Sequence, residues 1–107
     1  MVTFATVRRL ALALPETEES VLYGTPAFKV AGRLYARLRD DGALVVKVDP
    51  GHRDALMDIW PDVYYITPHY QDYPYVLVRL AAAEEAEMSD LLADAWALTA
   101  PKRLAAR

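Results

Sequence analysis

Tyr23-Gly24-Thr25-Pro26-Ala27-Phe28-Lys29-Val30-Ala31-Gly32-Arg33-Leu34-Tyr35-Ala36-Arg37-Leu38-Arg39 is the stretch on which the fold turns. Tyr23-Gly24-Thr25-Pro26 reads as a turn, Ala27 to Ala31 as a short strand and Gly32 as the next turn. From Arg33 to Arg39 the residue types alternate. Leu34, Ala36 and Leu38 fall on one side, and Arg33, Tyr35, Arg37 and Arg39 on the other, which is the period of a half-buried strand. Asp41-Gly42 then signals a hairpin, because the positive φ of a tight turn suits Gly and is tolerated by Asp. Leu44 to Val48 returns antiparallel.

Upstream, Thr3 is placed to cap a helix whose apolar positions are Phe4, Val7, Leu10, Ala11 and Leu14, with Pro15 as its stop. The carboxylates Glu16, Glu18 and Glu19 read as a solvated linker, and strand character resumes at Val21. Downstream, Asp49 caps a second helix with Pro50 at its first position, ending before Pro61. Val63 to Ile66 and Tyr75 to Leu80 are two further strands, joined by the polar stretch Thr67 to Pro74. A last helix from about Ala83 to Leu98 carries the stripe Met88, Leu91, Leu92, Ala95 and Trp96. After the Thr99-Ala100-Pro101 break, Lys102-Arg103-Leu104 forms a short turn or helical extension. The order α-β-β-β-α-β-β-α predicts a two-layer α+β fold, an antiparallel sheet with helices on one face and the other face partly open.

A chain of 107 residues is too short to bury two cores, so one domain over 1–107 is expected. The hydrophobic share of 54% excludes a disordered chain, yet no apolar run approaches the roughly 20 residues that cross a bilayer. Arg8 and Arg9 precede the apolar Leu10 to Leu14, but Pro15 and the acidic residues follow directly, so an amphipathic helix is the better reading than a signal peptide. Absence of cysteine excludes disulfides and thiolate chemistry and fits a reducing cytoplasm, the expected location. The net charge of −3 argues against a general nucleic-acid binder, although the charge is uneven. Residues 1–53 hold eight Lys/Arg and six Asp/Glu, giving +2, whereas 54–107 hold four and nine, giving −5.

Gly24 to Leu38 and Ile66 to Leu80 echo each other at an offset of 42. Thr25-Pro26 matches Thr67-Pro68, Phe28 matches Tyr70, and Arg37-Leu38 matches Arg79-Leu80. Two similar β-units with outward arginines would form a pair of wings, and a chance match over so short a window is the competing explanation.

The candidate binding residues are Lys29, Tyr35, Arg37, Lys47 and Arg79 on the outward strand faces, with Tyr70 and Tyr73 beside the loop. Cations interleaved with tyrosine suit phosphate contact and base stacking. The plainer alternative is a solvated sheet face with arginines paired to acids such as Asp40 and Asp49. Five of the seven tyrosines lie between Tyr64 and Tyr75, where they serve either recognition or the covering of a core edge. His69 with Asp72, or His52 with Asp54, lacks the further ligands a metal needs, so no metal and no cofactor is expected. Ser20 and Ser89 lie in no nucleophile elbow, and no Gly-rich phosphate loop is present, so a non-catalytic protein is expected.

Taken together, Leu14-Pro15-Glu16, Tyr23 to Lys29, Leu34 to Leu38, Thr67-Pro68-His69-Tyr70, Tyr75 to Leu80, Ala95-Trp96 and Ala100 to Arg103 resemble the MmcQ/YjbR-like family of small bacterial proteins. The resemblance implies a two-layer fold similar to that of the frataxin-like CyaY proteins. It also implies DNA binding through a double-wing β-motif, with no established catalytic residues to carry over. Two functions stay open: a module binding DNA through the open sheet face, and a protein-interaction or small-ligand module using the same aromatic-basic face.

Overall fold

The computed structural model describes residues 1–105, so the last two positions of the expected domain lie outside the described residues. Helices α1 (Phe4–Leu12), α2 (Pro50–Ile59), α3 (Glu85–Thr99) and α4 (Lys102–Ala105) accompany six strands. These are β1 (Thr17–Leu22), β2 (Thr25–Val30), β3 (Arg33–Leu38), β4 (Leu44–Lys47), β5 (Tyr64–Tyr65) and β6 (Tyr75–Val78). All neighbours pair antiparallel in the order β1-β2-β3-β4-β6-β5. The fold is α+β, as expected, with one strand more before α2 than the alternation suggested.

That strand is β1, formed by the acidic segment read as a linker. Tyr23 and Gly24 both take positive φ, 53° and 79°, the combination a two-residue type I′ hairpin needs. The turn is therefore tighter than expected, and Thr25-Pro26 already belongs to β2. Pro26 is tolerated there because it sits in the strand's first two residues. Ala31 and Gly32 repeat the device at 52° and 76°. At the edge, Glu18 and Glu19 face solvent, which blunts edge-to-edge association. Glu19 also accepts from Arg8 Nε and Nη2 at 2.8 and 3.0 Å, clamping β1 to α1.

One sheet face packs on the helices. Phe28, Leu44, Val46, Val76 and Val78 meet Val7 and Ala11 of α1 and Met88, Leu91, Leu92 and Ala95 of α3 in one buried cluster. Trp96 Nε1 donates to the Pro15 carbonyl at 2.8 Å, tying α3 to the end of the first helix region. Asp49 caps α2 as expected, its Oδ2 accepting from the Gly51 and His52 amides at 3.2 and 3.4 Å.

Tyr35 is the main departure from the strand alternation. Phe28 pairs with Ala36 and Lys29 with Leu34, so the register shifts and Tyr35 is left as an unpaired extra residue. The bulge turns its ring into the core, where it is fully buried. Its hydroxyl donates to the Ala11 carbonyl at 3.4 Å and bonds Thr17 Oγ1 at 2.8 Å. Burial pushes the phenol up to about 12, opposed by the Thr17 hydrogen bond.

Because the folded phenol holds its proton more tightly than an ordinary tyrosine near 10, stability is complete below pH ~10. It declines as pH rises from there through about 12. An absorbance titration of tyrosinate formation should show Tyr35 among the tyrosines that ionise only as the fold is lost. Tyr35→Phe should lower urea stability by about 1 kcal/mol and flatten that alkaline decline; an unchanged alkaline decline would show that Tyr35 is not its source.

Candidate binding face

The sheet face away from the helices is built on a row running across the strands: Ala27, Arg37, Val45, Leu77 and Tyr65 are successive register partners. Val45 and Leu77 would stand bare in a plain antiparallel sheet, yet they are 2% and 0% exposed. Tyr65, Tyr70 and Tyr75 cover them, together with Ala43, in a second, smaller apolar cluster. Tyr70 arrives from the connection between β5 and β6, which contains a 3-10 turn at Pro68–Tyr70 and wraps the end of the sheet. Its ring meets Tyr75 edge-on at 6.2 Å and His69 edge-on at 4.9 Å.

Arg53, on the first turns of α2, holds that connection in place. Its Nη1 donates to the carbonyls of Tyr70, Tyr73 and Tyr75 at 3.2, 2.7 and 3.2 Å, and Nη2 to that of Gln71 at 3.2 Å. The planar fork suits this cluster of acceptors, since its N–H groups diverge in fixed directions. The Val48 amide adds a bond to the Pro74 carbonyl at 2.9 Å. Arg53 was not among the residues expected from the sequence.

Arg37 and Arg79 stand at the two ends of the covered patch. The Arg37 guanidinium lies over the Tyr23 ring at 5.4 Å, and its Nη2 donates to the Tyr70 hydroxyl at 3.3 Å. The Arg79 guanidinium lies over the Tyr65 ring at 4.0 Å, while Nη1 donates to the Pro61 and Asp62 carbonyls at 3.3 and 3.4 Å. Tyr23 and Tyr65 stand 42 positions apart, so the internal echo extends to the ring beneath each arginine. The backbones do not share it. Thr25-Pro26 opens strand β2, whereas Thr67-Pro68 opens the 3-10 turn, so the second segment is a wrapped loop and strand rather than a second hairpin wing.

Among the described residues the ion pairs are Arg8–Glu19, Arg9–Glu85, Arg39–Asp41 and Arg103–Glu16. Neither Arg37 nor Arg79 is in one, and neither Asp40 nor Asp49 pairs with them. Lys29 and Lys47 share this face by register, opposite Glu18 and Tyr75 respectively, and are also free of ion pairs. Tyr73 is 55% exposed on the loop. Tyr35 alone of the expected residues is elsewhere, sealed in the core by the β3 bulge. The structure thus brings Lys29, Arg37, Lys47, Tyr70, Tyr73 and Arg79 to one side.

The YjbR family model matches residues 12–98, which span β1 to β6, α2 and nearly all of α3. The chain belongs to the YjbR family. Uncharacterised proteins of Mycobacterium tuberculosis and Mycobacterium bovis are similar to it, 46% identical over 56 residues, 52% of this chain. The match spans 43% of each relative's own length. A crystal structure of a Deinococcus radiodurans protein with a DUF419 domain is similar at a TM-score of 0.79 and 26% identity, over 92% of this chain and 78% of that one. In this YjbR chain the covered aromatic patch falls within the matched residues, as do Arg37, Arg53 and Arg79. No helix among the described residues is long and apolar enough to cross a membrane.

Arg53→Met should release residues 66–74 and destabilise the fold by about 2–3 kcal/mol, since several carbonyls lose a charged donor at once. Arg53→Lys should recover only part of this, because an ammonium cannot span the same acceptors. Hydrogen exchange read at the Tyr70, Tyr73 and Tyr75 amides, with urea unfolding, checks both. Equal protection in Arg53→Met and the parent would mean the loop holds itself.

Proposed function

We propose that the open face of this chain is a non-catalytic nucleic-acid-binding surface, with DNA as the first partner to test. The observation that carries the reading is the state of Arg37 and Arg79. Each rests on a tyrosine ring and, among the described residues, is in no ion pair, so each keeps its positive charge beside an aromatic platform. Arginine held in this way contacts phosphate without first breaking an ion pair. Lys29 and Lys47 add cations on the same side. Tyr70 and Tyr73, with His69 between them in space, offer rings on which bases stack. The resemblance to a family with a double-wing motif points the same way. Here the β2–β3 hairpin serves as one wing and the Arg53-braced loop takes the place of the other.

The second reading is a protein-interaction or small-ligand module on the same face. The observation favouring it is the aromatic character of the patch: Tyr65, Tyr70 and Tyr75 form a continuous surface over Val45 and Leu77, the sort of anchor that binds apolar groups.

Anisotropy titrations of a labelled oligonucleotide at two salt concentrations separate the two. For nucleic acid, affinity falls steeply with salt, and Arg37→Ala and Arg79→Ala should each flatten the log–log salt slope by about 0.7–0.9. For the second reading, retained partner binding at high salt and a larger loss from Tyr70→Ala than from Arg37→Ala are expected. No oligonucleotide binding at low salt overturns the nucleic-acid proposal.

A further inference from the structure

On the helical side, opposite the open face, a groove of about 160 Å³ runs between α2 and α3. Leu56, Leu91 and Tyr64 form its apolar floor, Trp60 and His52 stand on the α2 side, and Glu87, Asp90 and Asp94 stand on the α3 side. Trp60 is 41% exposed although the indole is apolar apart from its one N–H, and it meets Tyr64 edge-on at 6.4 Å. Leu98, 51% exposed, lies on the same face of α3 seven positions beyond Leu91.

The three carboxylates have no cationic partner in any ion pair among the described residues. Glu87–Asp90 and Asp90–Asp94, three and four positions apart, each repel by a few tenths of a kcal/mol, so a cation beside them is favoured. Among the described residues no three metal-capable side chains gather closely enough to hold an ion. Glu87 and Asp94 are instead about 10 Å apart along the helix axis, at ~1.5 Å per residue. The charge is spread along an apolar groove rather than focused on a point. The volume is also about half that of the smaller ordinary ligand pockets, roughly 300 Å³, so the groove takes a slender chain and not a nucleotide or a folded segment.

We propose that this groove binds a free linear aliphatic polyammonium, its methylene chain lying against Trp60 and Tyr64 and its ammonium groups distributed along Glu87, Asp90 and Asp94. A tryptophan face is the strongest aromatic partner for a cation, and the methylenes between ammonium groups match the floor of Leu56 and Leu91. The raised phenol of Tyr64, caused first by burial and then by the Glu87 carboxylate, places that carboxylate's field inside the groove.

Spermidine is the probe, titrated calorimetrically into the whole chain, with the fluorescence of Trp60 as a second readout because the other tryptophan, Trp96, is buried. Saturable binding is expected, tighter than that of butylamine and persisting against magnesium chloride at matched ionic strength. Asp94→Asn and Trp60→Ala should each weaken it about three- to five-fold. Glu18→Gln, on the β1 edge across the molecule, should leave it unchanged, and melting curves confirm that each variant is folded. Magnesium competing as well as spermidine, or Glu18→Gln weakening binding as much as Asp94→Asn, would reduce the effect to general charge attraction and overturn the proposal. Tetralysine binding more tightly than spermidine would overturn it too, in favour of a basic protein segment.

Discussion

The Arg53 guanidinium connects the two layers of the molecule. It stands on α2, and its N–H groups reach around the sheet end to three carbonyls of the β5–β6 connection and to that of Tyr75, the first residue of β6. The connection's own backbone bonds are short-range, Tyr70 to Thr67, Gln71 to Pro68 and Tyr73 to Tyr70, so its placement against the sheet rests on Arg53 and on the Val48–Pro74 bond. With the connection so placed, Tyr70 is delivered over Leu77 and Val45, and Arg37 finds the Tyr70 hydroxyl. The open face is therefore a consequence of a contact made from behind it. Main-chain carbonyls are unchanged by substitution of the residues that carry them, so this bracing leaves the loop side chains free to vary.

The two arginine–tyrosine pairs show how a short echo in sequence can survive as a shared device while the backbones differ. In both, an aromatic residue two positions before Thr-Pro lies beneath an arginine fourteen residues further on. One pair spans the β1–β2–β3 meander, and the other bridges the short edge strand β5 and the end of β6. The arginine stacked on a ring keeps its charge while losing side-chain freedom, so less ordering remains to be done when an anion arrives.

The parts of the structure that periodicity governs were legible in the sequence. The strands β2 to β4, the Asp49 cap with Pro50, and the α3 stripe of Met88, Leu91, Leu92, Ala95 and Trp96 follow from local spacing alone. Tyr35 was not legible, because its place depends on a register shift against β2 that no residue of β3 announces; simple alternation puts it beside Arg37. Arg53 escaped for a different reason. Its partners are main-chain carbonyls seventeen to twenty-two residues away, and a carbonyl has no letter in the sequence. The acidic β1 reads as a linker in sequence because charge on an edge strand resembles charge on a loop. By contrast, the Tyr23–Tyr65 correspondence was visible one residue outside the matching windows.

The net charge of −3 loses its force as an objection once the charges have positions. The uncompensated acids Glu87, Asp90 and Asp94 lie on α3, and the uncompensated cations Arg37 and Arg79 lie beyond the sheet that α3 covers. The layers are separated by a packing distance on the order of 10 Å, comparable to the screening length of about 8 Å at physiological ionic strength. Through solvent, therefore, each face is sensed largely by its own charges, and a phosphate approaching the open face meets arginine before it meets the helical carboxylates. Closer acids matter more: Asp41 already neutralises Arg39 at 3.3 Å, and Glu18 faces Lys29 across the β1–β2 pair. The effective positive patch is thus Arg37, Lys47 and Arg79, with Lys29 adding less because Glu18 stands opposite it in register. So small a patch cannot bind by charge alone, which makes the neighbouring tyrosines necessary to any affinity the face has.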